Sequence, residues 1–456
     1  MSFLIDKQGH KDLSLFSSNE KGHSLINFYD NTKTIGGQLY LHRLMQTPMS
    51  DIAFLENRKS EINFFYKLDG CLELSKRQLD YVEFYLAMRQ MPLRNNMVDS
   101  LKDYYSNRFG GDGSYYTIKE GIFHLSSLLN NLRDYLSSIT ISVAPESIRK
   151  RFARALKFVS SEPLNGLLNN PPRDYKELKS RRTNQFDNFF RQSGMKDLRY
   201  VLDLIYKIDV LQTLSDFLID KYFCLPEYVD GRSPVLEVEE FVHPLIEDPV
   251  ANSIKHSGLG SLYLITGPNM SGKSTFLKSI GVLTYCAHLG IPVPAKHMKT
   301  SIFDGMFTTI NLPDNMNQGL SHFLAEVRRI KDMVSLLEKR NRIIVILDEL
   351  FRGTNVKDAY DGTIMIIELL SKIEGPIFFI STHILEAAEK LLHANNIQFL
   401  CLESKIISNE PVYDYKLRTG VSDERVGLQI VLKEGIRDIL TSIINKQESE
   451  NIAVKY

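Results

Sequence analysis

The sequence predicts a helical domain followed by an α/β domain with a mostly parallel sheet. Residues 24–225 repeat apolar side chains three and four positions apart, which is the spacing of one helix face. After residue 226, short apolar runs alternate with helical patterns, as in parallel sheets that are covered on both faces. The length of 456 residues is itself typical of two or three domains.

The composition excludes several classes of protein. Hydrophobic residues make up 43% of the chain and charged residues 24%, which is enough to bury sizeable cores. The 55 basic residues balance the 55 acidic ones, so a globally basic nucleic-acid coat is excluded but a local basic groove is not. The few, widely spaced cysteines argue against zinc ribbons and disulfide frameworks. No stretch has the apolar length of a signal peptide or a spanning helix, so we expect a cytoplasmic protein without a membrane partner.

We expect three segments along the chain. Residues 1–23 are expected to be an N-terminal tail, residues 24–230 a helical domain and residues 231–456 a nucleotide-binding domain. The polar stretch 226–234 is the expected linker. Breaks rich in glycine, proline or asparagine predict loops in the helical domain at 92–96, 110–113 and 169–174.

Four short apolar runs predict the buried strands of the second domain. They cover residues 261–266, 342–347, 376–381 and 397–402. A further helix is expected over roughly 432–446. Its apolar spacing suits a dimer contact and suits core packing equally well; the residues are Ile436, Ile439, Leu440, Ile443 and Ile444.

A phosphate-binding loop is predicted at 267–274, which fits the pattern G-x-x-x-x-G-K-[ST] between a predicted strand and a predicted helix. Gly267 and Gly272 would let backbone N–H groups turn toward phosphates, and the helix start adds its positive end. Lys273 would reach the β and γ oxygens, and the Ser274 hydroxyl would ligate Mg²⁺. The expected nucleotide-binding residues of the loop are Gly267, Pro268, Asn269, Met270, Ser271, Gly272, Lys273, Ser274 and Thr275.

Two acids end the predicted strand at 342–347. Asp348 could hold the Mg²⁺ and its water shell, and Glu349 could polarise the attacking water as a general base. A strand that simply exits into a polar loop would look similar, but the phosphate loop upstream favours the catalytic interpretation.

Two further polar residues have a functional and a structural interpretation. His383 follows the predicted strand 376–381 and could donate to a γ-phosphate, although a lone histidine is often structural. Ser321 precedes a predicted helix and could be an ordinary helix cap, or it could meet a phosphate of a partner subunit.

Together, these segments resemble the MutS family of DNA mismatch-repair ATPases. A second, independent resemblance lies at 27–49, which is similar to the start of the family's helical core domain. The resemblance therefore covers nearly the whole chain. Its most specific segments are 242–246, 250–252, 266–275, 319–326, 348–358 and 381–383.

The resemblance implies an ABC-type P-loop ATPase domain that uses ATP and Mg²⁺ at composite sites in a homodimer. It implies that Lys273, Glu349 and His383 are catalytic and that Ser321 contacts the nucleotide of the partner subunit. It also implies that Val250 and Asn252 lie beside the adenine, that 24–230 is a core and lever domain, and that the C-terminal helices dimerise. The transporter signature Leu-Ser-Gly-Gly-Gln is absent, which argues against a transporter subunit.

The sequence also departs from the family pattern. The resemblance begins at about residue 24, so the mismatch-reading and connector domains are expected to be absent and mismatch recognition does not carry over. Pro249 stands where an aromatic residue is frequent, and Phe351 and Ala359 stand where glycines are usual. The segment 425–427 replaces a Ser-Tyr-Gly-like step.

The leading interpretation is a dimeric ATPase whose nucleotide state moves a helical DNA-engaging module in mismatch repair or related DNA repair. Binding would then be structure-dependent rather than mismatch-specific. The alternative is an ATP-driven conformational timer or scaffold for a repair-protein partner, and DNA stimulation of ATP turnover would separate the two. Candidate DNA-phosphate contacts are Arg173, Lys176, Lys179, Arg181, Arg182 and Arg191, although the interspersed Asp174, Glu177 and Asp187 also fit a solvated helix face.

Overall fold

The chain folds into a helical region that packs against an α/β region through a continuous apolar core. This computed structural model describes residues 2–16, 23–96, 98, 100, 113–231, 233–257, 261–310, 322–407, 410–422, 435–437 and 439–444. Within that part of the chain, none of the helices combines the length and the apolar character that crossing a bilayer requires.

Side-chain caps determine where several helices of the helical region begin. Ser24, Thr34, Asp51 and Ser75 each accept a hydrogen bond from a backbone N–H three residues ahead, which satisfies a donor that the helix leaves unpaired. The helices, numbered with a short N-terminal one, are α1 (Lys7–Asp12), α2 (Leu25–Tyr29), α3 (Ile35–Met45), α4 (Ile52–Tyr66), α5 (Lys76–Leu86), α6 (Ser114–Ser138), α7 (Glu146–Val159), α8 (Leu164–Leu168), α9 (Ser180–Asn188) and α10 (Met195–Asp216). The predicted loops 92–96 and 169–174 contain no α-helix, and 110–112 lie outside the described residues.

Helix α10 is the centre of the helical region, and buried polar contacts fix its neighbours. The Asp209 carboxylate accepts hydrogen bonds from the backbone N–H groups of Lys33 and Thr34, at 3.0 and 2.9 Å, which anchors the start of α3. The Lys207 ammonium and the Glu61 carboxylate form a buried ion pair at 2.7 Å between α10 and α4. Breaking either contact would leave a buried charge uncompensated.

The expectation of an N-terminal tail is not met by residues 2–16, which pack on the α/β region. The backbone of Leu4 hydrogen-bonds with Asp304 and Met306 at 2.9 and 2.8 Å. The Asp12 carboxylate accepts from the Thr308 hydroxyl at 2.7 Å and from the backbone N–H of Ile310 at 3.0 Å. These partners are about 300 positions away, so the sequence pattern gave no sign of them.

The α/β region contains a six-stranded, mostly parallel sheet, as the sequence predicts. Its order is β10-β9-β4-β8-β7-β6, and only the edge pair β9–β10 is antiparallel. Its strands are β4 (Leu262–Thr266), β6 (Gly305–Thr309), β7 (Ile343–Asp348), β8 (Ile377–Ser381), β9 (Ile397–Ile407) and β10 (Glu410–Thr419). The helices of the region are α11 (Lys273–Leu289), α12 (His322–Leu337), α13 (Val356–Leu370) and α14 (Leu385–Leu391).

A smaller sheet lies beside the large one and revises the expected linker. Its order is β1-β5-β2-β3, with β1 (Glu227–Val229), β2 (Val235–Phe241), β3 (Asn252–Ser257) and β5 (His297–Ser301). The stretch 226–234 is therefore not a free linker, because β1 pairs in parallel with β5. Of the predicted helix 432–446, residues 436–437 and 439–444 are helical among those described.

Helix α11 joins the two regions through its C-terminal end. The last carbonyl groups of a helix have no partner within the helix. Here the Ala287 carbonyl accepts from the Tyr228 hydroxyl at 2.6 Å, and the Leu289 carbonyl accepts from the Arg58 guanidinium at 2.5 Å. Gly290 ends the helix in the left-handed conformation with a φ of 68°, and a Cβ there would lie 3.3 Å from the Leu55 carbonyl oxygen. The close approach of α4 therefore favours glycine at this position.

His288, near the end of α11, is buried as the neutral form. Its Nδ1 lies 2.9 Å from the Thr284 carbonyl oxygen, to which it donates, and its Nε2 accepts from the backbone N–H of Phe303 at 2.9 Å. Burial lowers the pKa of His288 to about 4, because the protonated ring would lose its hydration, and the hydrogen bond to the Thr284 carbonyl only partly opposes this shift.

We predict that this histidine makes the free energy of unfolding fall by about 2 kcal/mol between pH 7.5 and pH 5. The folded-state pKa of about 4 lies below the ordinary value of 6.5, so the unfolded chain binds the extra proton in this window. The contribution is complete above pH 6.5 and is lost as the pH falls toward 4. Urea unfolding at both pH values measures it.

The His288→Asn variant should show a smaller loss of stability on acidification than the parent chain. The matched control is His393→Asn, which changes an exposed histidine. The same pH dependence in all three proteins would contradict the assignment to His288.

Candidate functional site

The predicted phosphate loop connects the end of β4 to the start of α11, so the strand–loop–helix context is present. Gly267 and Gly272 have φ values of 149° and 98°, which side chains rarely adopt. A Cβ at Gly267 would lie 2.4 Å from the Leu402 carbonyl oxygen, and one at Gly272 would lie 3.2 Å from the Tyr415 ring. Both glycines are therefore required by backbone conformation and by close approach.

Lys273 points back into the loop that it follows. Its ammonium donates to the carbonyl oxygens of Gly267 and Pro268 at 2.8 and 3.0 Å. Burial lowers the pKa of Lys273, while the carboxylates of Glu349 and Asp348 oppose that shift. A buried cation held by two neutral carbonyls is well placed to exchange them for phosphate oxygens.

The predicted metal ligands meet at the carboxyl ends of neighbouring strands. Asp348 ends β7 and is only 6% exposed, and its Oδ2 accepts from the Ser274 hydroxyl at 2.6 Å. Its Oδ1 accepts from the hydroxyl of Ser381, which lies opposite Asp348 in the β7–β8 register. A hydroxyl and a carboxylate are hard oxygen donors of the kind that Mg²⁺ prefers, so the pair fits that ion.

Glu349 turns out of the strand in the left-handed conformation, with a φ of 57°. Its Oε2 lies 2.8 Å from Nε of Arg352 and 3.3 Å from Nδ1 of His383. Burial on its own raises the pKa of Glu349, but the hydrogen bond from His383 and the charge of Arg352 outweigh it, so the net shift is downward. The carboxylate is therefore held ionised, and His383 contacts this acid directly.

Of the two residues expected beside the adenine, Asn252 is attached to strand β10. The side-chain amide of Asn252 donates to the Tyr415 carbonyl at 2.9 Å and accepts from the Leu417 N–H at 2.8 Å. Tyr415 itself has a φ of 53° where the β9–β10 register shifts, and its ring contacts Gly272. This bulge brings an aromatic side chain to the phosphate loop from a position 142 residues after Lys273, where α11 begins. Sequence reasoning missed this contact.

One cavity of about 560 Å³ collects most of these groups. Its volume lies in the range of small-molecule sites. The predicted residues that line it are Val250, Asn252, Asn269, Met270, Gly272, Lys273, Ser274, Thr275 and Glu349, and His243, Pro249 and Tyr415 line it as well. Gly267, Pro268 and Ser271 belong to the loop beneath, and Asp348 lies behind Ser274.

Three residues near the acid pair were not singled out from the sequence. Ser381 contacts Asp348, Arg352 contacts Glu349, and Glu326 accepts from the backbone N–H of Arg352 at 3.2 Å. Ser381 and Arg352 lie in segments that carry the family resemblance, but the strand register and the helix position that bring them here are not readable from one sequence.

Some residues predicted to be functional have other contacts in the structure, and others lie outside the described residues. Ser321 and the segment 425–427 are outside the described residues. Arg191 was a candidate DNA contact, and this is wrong, because its guanidinium is buried in an ion pair with Asp187 at 2.7 Å. The Arg182 side chain donates to the carbonyls of Gly166 and Asn170. The exposed candidates that remain are Arg173, Lys176, Lys179 and Arg181.

Comparison with known proteins agrees with the family resemblance of the α/β region. Residues 263–450 match the family MutS domain V. The chain is 28% identical over 324 residues to the DNA mismatch repair protein MutS of Anaplasma phagocytophilum, which covers 69% of this chain and 39% of that protein. It is 33% identical over 236 residues to MutS of Thermotoga petrophila, covering 51% and 29%, and 31% identical over 252 residues to MutS of Aquifex pyrophilus, covering 54% and 27%. The chain thus spans less than two-fifths of the length of these relatives.

We predict that Ser381→Ala weakens Mg²⁺-dependent nucleotide binding by about tenfold or more, because partners of metal ligands typically contribute that much. The substitution removes the hydroxyl that orients the Asp348 carboxylate. A Mg²⁺ titration of binding of a fluorescent ATP analogue measures the effect. Ser371→Ala is the matched control, since Ser371 is a buried serine at the end of α13. Equal Mg²⁺ midpoints for the two variants would contradict the role of Ser381.

Proposed function

We propose that the chain is a Mg²⁺-dependent ATPase of the ABC type whose nucleotide state moves the helical region, since residues 263–450 match MutS domain V and the chain is similar to MutS proteins. The observation that carries this proposal is the meeting of the phosphate loop and the acid pair at one cavity. A phosphate loop alone would support nucleotide binding only. The added acid gives the site a base for hydrolysis.

In this proposal each group at the cavity has one task. The loop N–H groups and Lys273 bind the phosphates, and Ser274 with Asp348 holds the metal. When bound, Mg²⁺ would neutralise the charge that develops on the transferred phosphoryl group. Glu349 accepts the proton of the water that attacks the γ-phosphorus, the bond to the ADP oxygen breaks, and ADP and phosphate leave.

His383 has two possible partners in such a site. It contacts Glu349 at 3.3 Å, with a half-exposed ring. From this position it holds the base in place, and it is close enough to the acid pair to respond to a bound γ-phosphate. We propose both tasks for it, the second as the family resemblance implies. Val250, Asn252 and Tyr415 would hold the nucleoside at the other end of the cavity.

Helix α11 supplies the route from the site to the helical region. Its first residue is Lys273, and its last carbonyls are held by Arg58 and Tyr228. The Tyr285 hydroxyl, in its last turn, donates to the Met45 carbonyl at 2.5 Å. A shift of the loop on nucleotide binding would therefore be passed along a buried helix to α3 and α4.

The partner proposed for the helical region is DNA, because the relatives are named as DNA mismatch repair proteins. The exposed basic residues between Arg173 and Arg181 would contact the phosphate backbone, which positions a protein but carries little sequence information. Arg191 is buried in an ion pair and Arg182 is hydrogen-bonded to backbone carbonyls, so this surface offers fewer basic side chains to DNA than its sequence suggests. That observation favours a second candidate, a conformational timer for a repair-protein partner.

The active unit is proposed to be a homodimer. Ser321 precedes α12 and would complete the nucleotide site of the other subunit, so that each site needs two chains. The exposed apolar residues of the C-terminal helix would add to the same contact; they are Ile436, Ile439, Leu440, Ile443 and Ile444. ATP turnover by a proven monomer would contradict this assembly.

We predict that Glu349→Gln slows ATP hydrolysis by about 100-fold or more while the affinity for ATP stays within a few-fold, since only the base is lost. Lys273→Ala should instead weaken binding itself, because it removes the cation from the loop. Single-turnover hydrolysis and equilibrium binding of a fluorescent ATP analogue separate the two effects. Glu338→Gln, an exposed acid after α12, is the control. Near-normal turnover in Glu349→Gln would refute the assignment.

We predict that DNA stimulates ATP turnover and that DNA binding falls steeply with salt, through release of counterions. Replacing Lys179 and Arg181 by glutamine should reduce the slope of log affinity against log salt by about two, one for each lost phosphate contact. The matched control replaces Arg149 and Lys150, an exposed basic pair on α7.

The same titration should use matched, mismatched and branched oligonucleotides. We expect similar affinity for matched and mismatched duplexes, and any preference should be for branched DNA. A tenfold preference for the mismatch, about 1.4 kcal/mol, would contradict this expectation. No binding to any of them at low salt would favour the timer for a protein partner.

A further inference from the structure

Helix α12 contacts the turn that follows the acid pair through one buried carboxylate. Glu326 is 7% exposed, and its two oxygens accept from the backbone N–H groups of Arg352 and Gly353, at 3.2 and 3.5 Å. A carboxylate can accept from two neighbouring N–H groups at once, with one oxygen for each. Glu326 therefore joins α12 to the backbone at Arg352, three residues after Glu349.

The turn itself is in a conformation that its neighbours must maintain. Glu349 and Phe351 both lie in the left-handed region, with φ values of 57° and 60°. For a side chain as large as phenylalanine this conformation is unfavourable and persists only when surrounding contacts fix it. The Phe351 ring supplies one contact, since it lies 5.7 Å from the Phe323 ring on α12 and packs over Gly362 on α13.

The side chain of Arg352 completes the connection to the active acid. Its Nε lies 2.8 Å from Oε2 of Glu349, and a terminal nitrogen lies 3.5 Å from Oδ2 of Asp348. Glu326 thus fixes the backbone of the residue whose guanidinium fixes the catalytic carboxylate. A small cavity of about 150 Å³ between α12 and the acid pair is lined by Glu326, Ile330 and Glu349.

We propose that Glu326 is a positioning residue through which the position of helix α12 sets the rate of hydrolysis, acting on Glu349 by way of Arg352. The inference rests on the proposed ATPase activity and adds a controlling element to it. Nucleotide affinity is set by the phosphate loop and Lys273, which Glu326 does not touch among the described contacts. A change in α12 therefore alters turnover without altering binding.

The first test is the Glu326→Gln variant. Glutamine is nearly the same size but replaces one of the two acceptor oxygens by an NH₂ group, so a donor would face one of the two backbone N–H groups. Loss of one such charge-assisted contact corresponds to about a tenfold fall in kcat, with the affinity for ATP within twofold. Asp332→Asn is the matched control, an exposed acid on the same helix.

A double-mutant cycle with Arg352→Gln separates positioning from a merely structural role. If Glu326 acts through Arg352, the double variant loses no more kcat than Arg352→Gln alone. Independent losses that multiply would overturn the proposal, and so would an unchanged kcat in Glu326→Gln or a parallel loss of ATP affinity.

A second variant guards against a folding defect. If thermal unfolding shows that Glu326→Gln is not folded, Phe323→Leu loosens the same helix from the same turn and should again lower kcat with the affinity for ATP unchanged. An unaltered kcat in folded Phe323→Leu would then count against the proposal. Absence of ATP turnover in the parent chain and in Asp332→Asn would instead refute the proposed ATPase, so the two failures are distinguishable.

Discussion

The structure depends on helix α11, which is buried along almost its whole length and carries a different task at each end. Its 17 residues span roughly 25 Å at 1.5 Å per residue. The N-terminal end presents unpaired N–H groups and Lys273 to the cavity. The C-terminal end gives its unpaired carbonyls to Tyr228 and Arg58. The carbonyls of the C-terminal end are therefore paired with β1 and with the helical region, whereas the N–H groups of the N-terminal end face the cavity. Since a packed helix moves as a unit, neither end can shift without the other.

The second constraint is the register of β7 and β8. Asp348 lies opposite Ser381, so the two carboxyl-terminal ends of these strands present an acid and a hydroxyl at one point. The chain must then leave β7 sharply, and Glu349 takes a left-handed conformation with its N–H donated to the Ser381 carbonyl at 3.2 Å. This exit turns the second acid away from the first. In the proposed mechanism, the backbone conformation therefore lets one carboxylate serve the metal site and the other the attacking water.

The sequence predicted the parts of this arrangement that are local. The phosphate-loop pattern needs eight consecutive residues, and so does an apolar strand that ends in two acids, so both could be found by pattern. The parts that sequence reasoning missed depend on contacts between distant segments. Tyr415 reaches the loop through a bulge in β10, Glu326 reaches Arg352 from a separate helix, and Asp12 binds residues near 309. The prediction of Arg191 as a DNA contact was wrong for the same reason, because its spacing from Asp187 in the sequence gave no indication that both would be buried.

The contacts of Glu349 suggest which step such a molecule controls. Arg352 and His383 approach the same carboxylate oxygen from different elements, one from the turn that α12 holds and the other from the end of β8. The groups expected to bind phosphate belong instead to one short loop and the first turn of α11, which are fixed by two glycines and a buried lysine. The groups proposed to bind phosphate are therefore held by local structure, whereas Glu349 is held by two separate elements. An equilibrium that shifts α12 would act on hydrolysis first, and α11 would carry the bound or released state of the nucleotide to the helical region.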